Sequence, residues 1–131
     1  MEIVLIILVL VVSFLMIPRL LMLYKARKMT GKEAATPHSA SRKRIRSGKK
    51  TVLYFYTPAC SACKIQEPII TRIKKSHADA VFKIDASQNR EAATAYGVMG
   101  VPFIAFIENG TIVKAKAGVQ SESALKEFLG V

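Results

Sequence analysis

The chain has 131 residues, enough for one domain and an appendage. It carries 20 Lys and Arg against 9 Asp and Glu, a formal net charge of +11, and 51% of its residues are hydrophobic. That composition excludes a wholly disordered chain, and two cysteines exclude a multi-bridge disulfide scaffold or an all-cysteine zinc site within one chain.

Residues 1–24 are almost entirely apolar. Between Ile3 and Ile17 only Ser13 is polar, and after Pro18 and Arg19 the run resumes through Tyr24. A helix of about 20 such residues spans a bilayer core. Arg19 can snorkel toward the headgroups, Tyr24 suits the interface, and Pro18 is expected to kink the helix or mark its end. The reading is therefore a transmembrane anchor. A cleaved signal peptide is the competing reading, but no Lys or Arg precedes the apolar run and no small-residue cleavage site follows it. Residues 1–18 carry no Lys or Arg, whereas residues 19–50 carry 11. The positive-inside rule then puts the C-terminal side in the cytoplasm, the extracytoplasmic side being the alternative.

Residues 25–50 hold ten Lys or Arg and a single acid, Glu33, with no apolar periodicity. They read as a flexible basic linker. Its run from Arg42 to Lys50 could contact nucleic acid, but its place beside a membrane span favours anionic lipid, and no nucleic-acid partner is expected. The five Met residues show no ligand spacing, and His38 in the linker is expected to be solvated.

Residues 51–131 form the predicted folded domain, with nine basic and seven acidic side chains, so the basicity of the chain lies outside it. Val52–Tyr56 is an uninterrupted apolar run, as in a strand buried on both faces. A helix is expected over about 60–76, with Ala62, Ile65, Ile69, Ile70 and Ile73 inward and Pro68 kinking it. Val81–Ile84 is a short strand ending at Asp85. A short helix follows from Asn89 to Tyr96, then a central strand over Phe103–Ile107. Asn109-Gly110 signals a hairpin. Thr111–Ala117 alternates, which predicts Val113, Ala115 and Ala117 inward, with Lys114 and Lys116 guarding an edge. Ser121 caps a last helix that is expected to bury Ala124, Leu125, Phe128 and Leu129. A mixed sheet with helices on both faces is the economical arrangement, in the order β-α-β-α-β-β-α.

The chemistry lies in Cys60-Ser61-Ala62-Cys63, directly after a buried strand and at the opening of a helix. Free backbone N–H groups and the positive end of the helix dipole favour a thiolate there, most of all at the first cysteine. Cys60 is thus the expected nucleophile and Cys63 the resolving thiol of a thiol–disulfide exchange cycle. A zinc half-site would need His77 or a second chain; His77 lies in a polar turn and is expected to be solvated.

On these residues the domain resembles the thioredoxin family. Pro68, five residues after Cys63, matches the proline of the family's active-site helix, and Tyr96–Pro102 resembles the segment that carries its cis-proline. The resemblance implies a cis bond before Pro102, a substrate segment paired along the backbone of Val101, and space beside the site at Gly118. It implies no bound cofactor and no metal, and protein disulfides or dithiols as substrates. The sequence departs from the family at Ser61-Ala62, and at Tyr54, which stands where the family has a buried carboxylate. Tyr accepts a proton poorly near neutrality. Glu67, one turn past Cys63, is the candidate substitute, otherwise a solvated surface residue; Lys83 stands where the family has a lysine partnering that carboxylate. Tyr56 and Pro58 flank the site. The family's additional N-terminal strand and helix are expected to be absent. The combined reading is a membrane-anchored thiol–disulfide oxidoreductase, most simply a disulfide reductase. The alternative is a non-enzymatic tether for an extended client segment.

Overall fold

The computed structural model describes residues 1–35 and 39–131, so His38 lies outside the described residues. The domain is built on a four-stranded sheet in the order β2-β1-β3-β4. The strands are β1 (Thr51–Tyr56), β2 (Val81–Asp85), β3 (Phe103–Glu108) and β4 (Thr111–Ala117). β1 pairs with β2 in parallel, while β3 is antiparallel to both β1 and β4. The sheet is mixed, as the sequence predicts. The two central strands, β1 and β3, are each buried at five of six positions, which is why their apolar runs are uninterrupted.

The helices are α1 (Glu2–Met29), α2 (Ser39–Arg46), α3 (Ser61–Ser76), α4 (Arg90–Ala95) and α5 (Glu122–Leu129). One sheet face packs Val52, Tyr54, Ile104 and Phe106 against Ile70 and Ile73 of α3 and Leu125 of α5. The other packs Leu53, Phe55, Phe103 and Ala105 against Ile45 of α2 and Ala92 and Ala93 of α4, with Tyr96 just beyond α4. The hairpin between β3 and β4 turns at Asn109 and Gly110, both at positive φ (52° and 72°), which explains the residue pair.

Three sequence expectations are corrected. First, residues 25–50 are not a uniform coil. α1 continues through Met29, and α2 inserts Ile45, 2% exposed, into the core. Arg44 of α2 is also tied to the domain, through Asp79 at 2.5 Å and the Lys50 carbonyl at 3.0 Å. A single large apolar side chain in an eight-residue basic helix leaves no periodicity to read. Residues 31–34 run beside β4: the Ile112 N–H donates to the Lys32 carbonyl and the Ala34 N–H to the Gly110 carbonyl, each at 2.8 Å. The segment expected to supply no strand or helix therefore covers the edge that Lys114 and Lys116 were to guard.

Second, β4 carries a register shift opposite Phe106 and Ile107, which pair with Lys114 and Ile112. The skipped residue is Val113. It turns outward at 40% exposed, and Ile112 takes the inward place at 1%. Third, α3 turns Ile70 and Ile73 inward as expected, but Cys63 and Gln66 join them and Ile65, 64% exposed, does not.

The C-terminal end of α1 lies along β4, and the rest of the helix extends away from the sheet. The α1 stretch Glu2–Lys25 is long and apolar enough to cross a membrane, and none of it is buried in the protein. Pro18 lies within the continuous helix.

Candidate redox site

The site grows from the end of β1. Thr57 breaks the strand, and Cys60 takes an extended conformation as the N-cap of α3. Its Sγ accepts a hydrogen bond from the Cys63 N–H at 3.1 Å, so the sulfur occupies the place of a capping oxygen. The interaction ties Cys60 to the helix start, where negative charge on sulfur is stabilised. Cys60 and Cys63 form a disulfide with Cα atoms 5.2 Å apart, so the structure describes the oxidised state. Cys63 is 4% exposed, whereas Cys60 is only half-buried, which matches an accessible attacking sulfur and a covered resolving one.

Opposite the disulfide, the Val101–Pro102 peptide bond is cis, as the family resemblance implies. The Val101 carbonyl lies 3.6 Å from Cys60 Sγ. The Pro102 carbonyl accepts from the Gly118 N–H at 2.8 Å. Gly118 has φ 89°, and a Cβ there would meet nothing within 4 Å. The residue keeps both its left-handed backbone and open space beside the cis-proline loop. Val101, Pro102 and Gly118 are thus gathered at the disulfide. Pro68 is not; it lies exposed in the second turn of α3.

Tyr54 is fully buried beneath the helix start, and its phenol donates to the Cys63 carbonyl at 3.3 Å. Burial, reinforced by the nearby Glu67 charge and by Tyr56, pushes its ionisation far above the ordinary phenol range. Tyr54 is therefore a neutral donor that fastens α3 to β1, not a proton acceptor. The carboxylate nearest this function is Glu67, which ion-pairs with Lys83 of β2. Lys83 in turn lies 5.0 Å above the Tyr56 ring. Glu67, the candidate substitute for the family's carboxylate, and Lys83, at the place of that carboxylate's lysine partner, share a shallow cavity of about 250 Å³ with both cysteines, Tyr56, Thr57 and Pro58.

Gln66 was missed by the sequence reading. Its side chain is fully buried and clamps the loop after β4: Nε2 donates to the Gln120 carbonyl at 3.1 Å, and Oε1 accepts from the Gln120 N–H at 2.6 Å. The clamp fixes the segment following Gly118. An amide at the inward position between Cys63 and Ile70 was the available signal. His77 is the C-cap of α3, at the far end of the helix from Cys60. Among the described residues, no three His, Cys, Asp or Glu side chains gather as a metal site.

Comparisons with known proteins agree with this geometry. The thioredoxin family model matches residues 17–130. A thioredoxin of Buchnera aphidicola (subspecies Baizongia pistaciae) is 36% identical over 90 residues, covering 66% of this chain and 83% of that one. The thioredoxin of Bacillus subtilis is 31% identical over 77 residues, covering 57% and 74%. The solved structure of a thioredoxin mutant from Halobacterium salinarum superposes with a TM-score of 0.61 at 30% identity, covering 72% of this chain and 91% of that one. The match from residue 17 includes α2, in keeping with its packing on the sheet. With its paired cysteines at the head of α3 and a cis-proline facing them, this chain belongs to the thioredoxin family and is a thiol–disulfide oxidoreductase.

Proposed function

We propose that the chain is a membrane-anchored protein-disulfide reductase whose domain works on the cytoplasmic side of the bilayer. The observation that carries the anchored reading is the apolar stretch Glu2–Lys25, unburied in the protein and followed at once by basic residues. The reducing poise of a cytoplasmic location favours the reductase direction.

In the cycle, the reduced Cys60 thiolate attacks one sulfur of a substrate disulfide, whose chain lies extended along the Val101 backbone. A Cys60–substrate disulfide forms, and the other substrate sulfur leaves as a thiolate and takes a proton from solvent. Cys63 then gives its thiol proton to the Glu67 carboxylate, which Lys83 holds in the shared cavity. The Cys63 thiolate attacks Cys60 Sγ and releases the second substrate sulfur. Two electrons have passed from the cysteine pair to the substrate, and the protein is left with the Cys60–Cys63 disulfide. A cytosolic dithiol resets it.

Sidedness tests this reading. Intact cells are treated with an impermeant reductant and then an impermeant maleimide, with permeabilised cells as the positive control. The reading expects Cys60 to be modified only after permeabilisation. Labelling in intact cells would place the domain outside and require electrons relayed across the membrane.

A further inference from the structure

The end of α1 does not leave the domain freely. A Cβ built at Gly100 would stand 2.5 Å from the Met22 Cε, so the membrane helix touches the loop that leads into the cis-proline. The next residue, Val101, faces the Cys60 sulfur at 3.6 Å. Standard backbone dimensions put that sulfur within roughly 14 Å of the Met22 side chain. Met22 lies less than one helical turn before Lys25, the end of the apolar stretch.

Between helix and loop is an open cavity of about 360 Å³, lined by Leu21, Tyr24, Lys25, Lys28, Lys32 and Met99. Leu21 lies three residues before Tyr24 and four before Lys25, and Lys28 lies four after Tyr24 and three after Lys25, so the four share a face of α1. The apolar members lie toward the membrane span and the three ammonium groups at and beyond its end. Met99, 54% exposed, closes the opposite wall from the domain. Such an order, apolar below and cationic above at the edge of a bilayer, complements a phospholipid: acyl carbons below and an anionic headgroup above.

We propose that this cavity seats an anionic phospholipid, its acyl carbons against Leu21, Tyr24 and Met99 and its headgroup at the rim carrying Lys25, Lys28 and Lys32, and that the lipid holds the cis-proline loop, and with it Cys60, against the bilayer surface. The proposal rests on the anchored reading above. It names the surface at which the redox centre is displayed, which that reading leaves open.

The chain has no Trp, so one introduced reporter gives a clean signal. The full chain bearing Met99→Trp is reconstituted in vesicles of phosphatidylcholine and phosphatidylglycerol, with bromine on one lipid at a time. Brominated phosphatidylglycerol is expected to quench beyond its share of the mixture. Each of Lys25→Gln, Lys28→Gln and Lys32→Gln is expected to lower that preference by roughly fivefold. Tyr24→Trp serves as a second reporter on the opposite wall. Quenching in proportion to composition, or a preference that survives all three lysine substitutions, overturns the proposal. So does a response to inorganic phosphate with phosphatidylcholine alone, which would assign the site to free anions. Exchange with a soluble disulfide, measured on the same vesicles, reports the reductase reading separately. Its loss with lipid selectivity intact would sink that reading and leave the lipid site standing.

Discussion

Each face of the sheet buries one tyrosine, and the two are put to different uses. Tyr54 lies under α3 and donates to the Cys63 carbonyl, inside the redox motif. Tyr96 lies on the α2 and α4 face and donates to the Ala35 carbonyl, tying the N-terminal segment to the core. Burial raises the ionisation of both phenols, with Glu67 and then Tyr56 adding to the effect at Tyr54. The polar groups buried against the α3 face thus converge on the disulfide: Tyr54 fastens the helix start and Gln66 fastens the loop beyond Gly118. On the opposite face, Ile45 and the α4 alanines supply packing, and the polar contact of Tyr96 reaches chain far in sequence from the cysteines. Substitutions on the first face should alter chemistry, and those on the second only stability.

The largest effect should come from Cys60→Ser, which removes the attacking sulfur. Turnover of a protein disulfide is expected to fall to the uncatalysed rate while far-UV circular dichroism stays unchanged. Residual turnover above background would mean that Cys63 can attack alone.

Ile45→Ala tests the second face most severely. Emptying a fully buried site costs about 2–5 kcal/mol, read as a lower denaturation midpoint at unchanged kcat on the folded fraction. A kcat loss without a stability loss would break the division between the faces.

Gln66→Leu leaves the Gln120 N–H and carbonyl without their partner, at a cost of about 2 kcal/mol. Unlike Ile45→Ala, it is expected to raise KM for a protein substrate, because the loop beyond Gly118 loosens. An unchanged KM would reduce Gln66 to a packing residue.

The paired tyrosine substitutions have the smallest effect. Tyr54→Phe and Tyr96→Phe should each cost about 1 kcal/mol near neutrality. Both phenols ionise at higher pH in the folded protein than in the unfolded chain. The stability they contribute is therefore intact below about pH 10 and is lost as the pH rises further. Each Phe variant should show a shallower alkaline fall than the parent in denaturation at stepped pH. Only Tyr54→Phe should also change the exchange rate.

Much of the domain was legible because its signals are local. Uninterrupted apolar runs marked β1 and β3, and the strand–turn–helix context made Cys60 and Cys63 specific. What stayed hidden depends on tertiary contacts. The inward stripe of α3 passes through Gln66, which pairs with the Gln120 backbone, and Ile65, the more apolar neighbour, is turned out. The bulge in β4 exchanges Val113 for Ile112, a one-residue slip that alternation alone does not reveal. α2 offers one large apolar side chain, and only the place that Ile45 fills shows that the helix belongs to the core. Glu67 was visible as a candidate, but its ion pair with Lys83 needs the α3–β2 packing.

The most direct test of the account is to trap its intermediate. The full chain bearing Cys63→Ser is reduced, presented with a disulfide-bonded protein substrate in membranes, and resolved on a non-reducing gel followed by mass spectrometry. The account predicts a covalent adduct joined through Cys60, abolished by adding Cys60→Ser and released by dithiothreitol. An adduct that forms without Cys60, or a substrate held identically whether or not both cysteines are present, would contradict it and leave a binding module in place of an exchange enzyme.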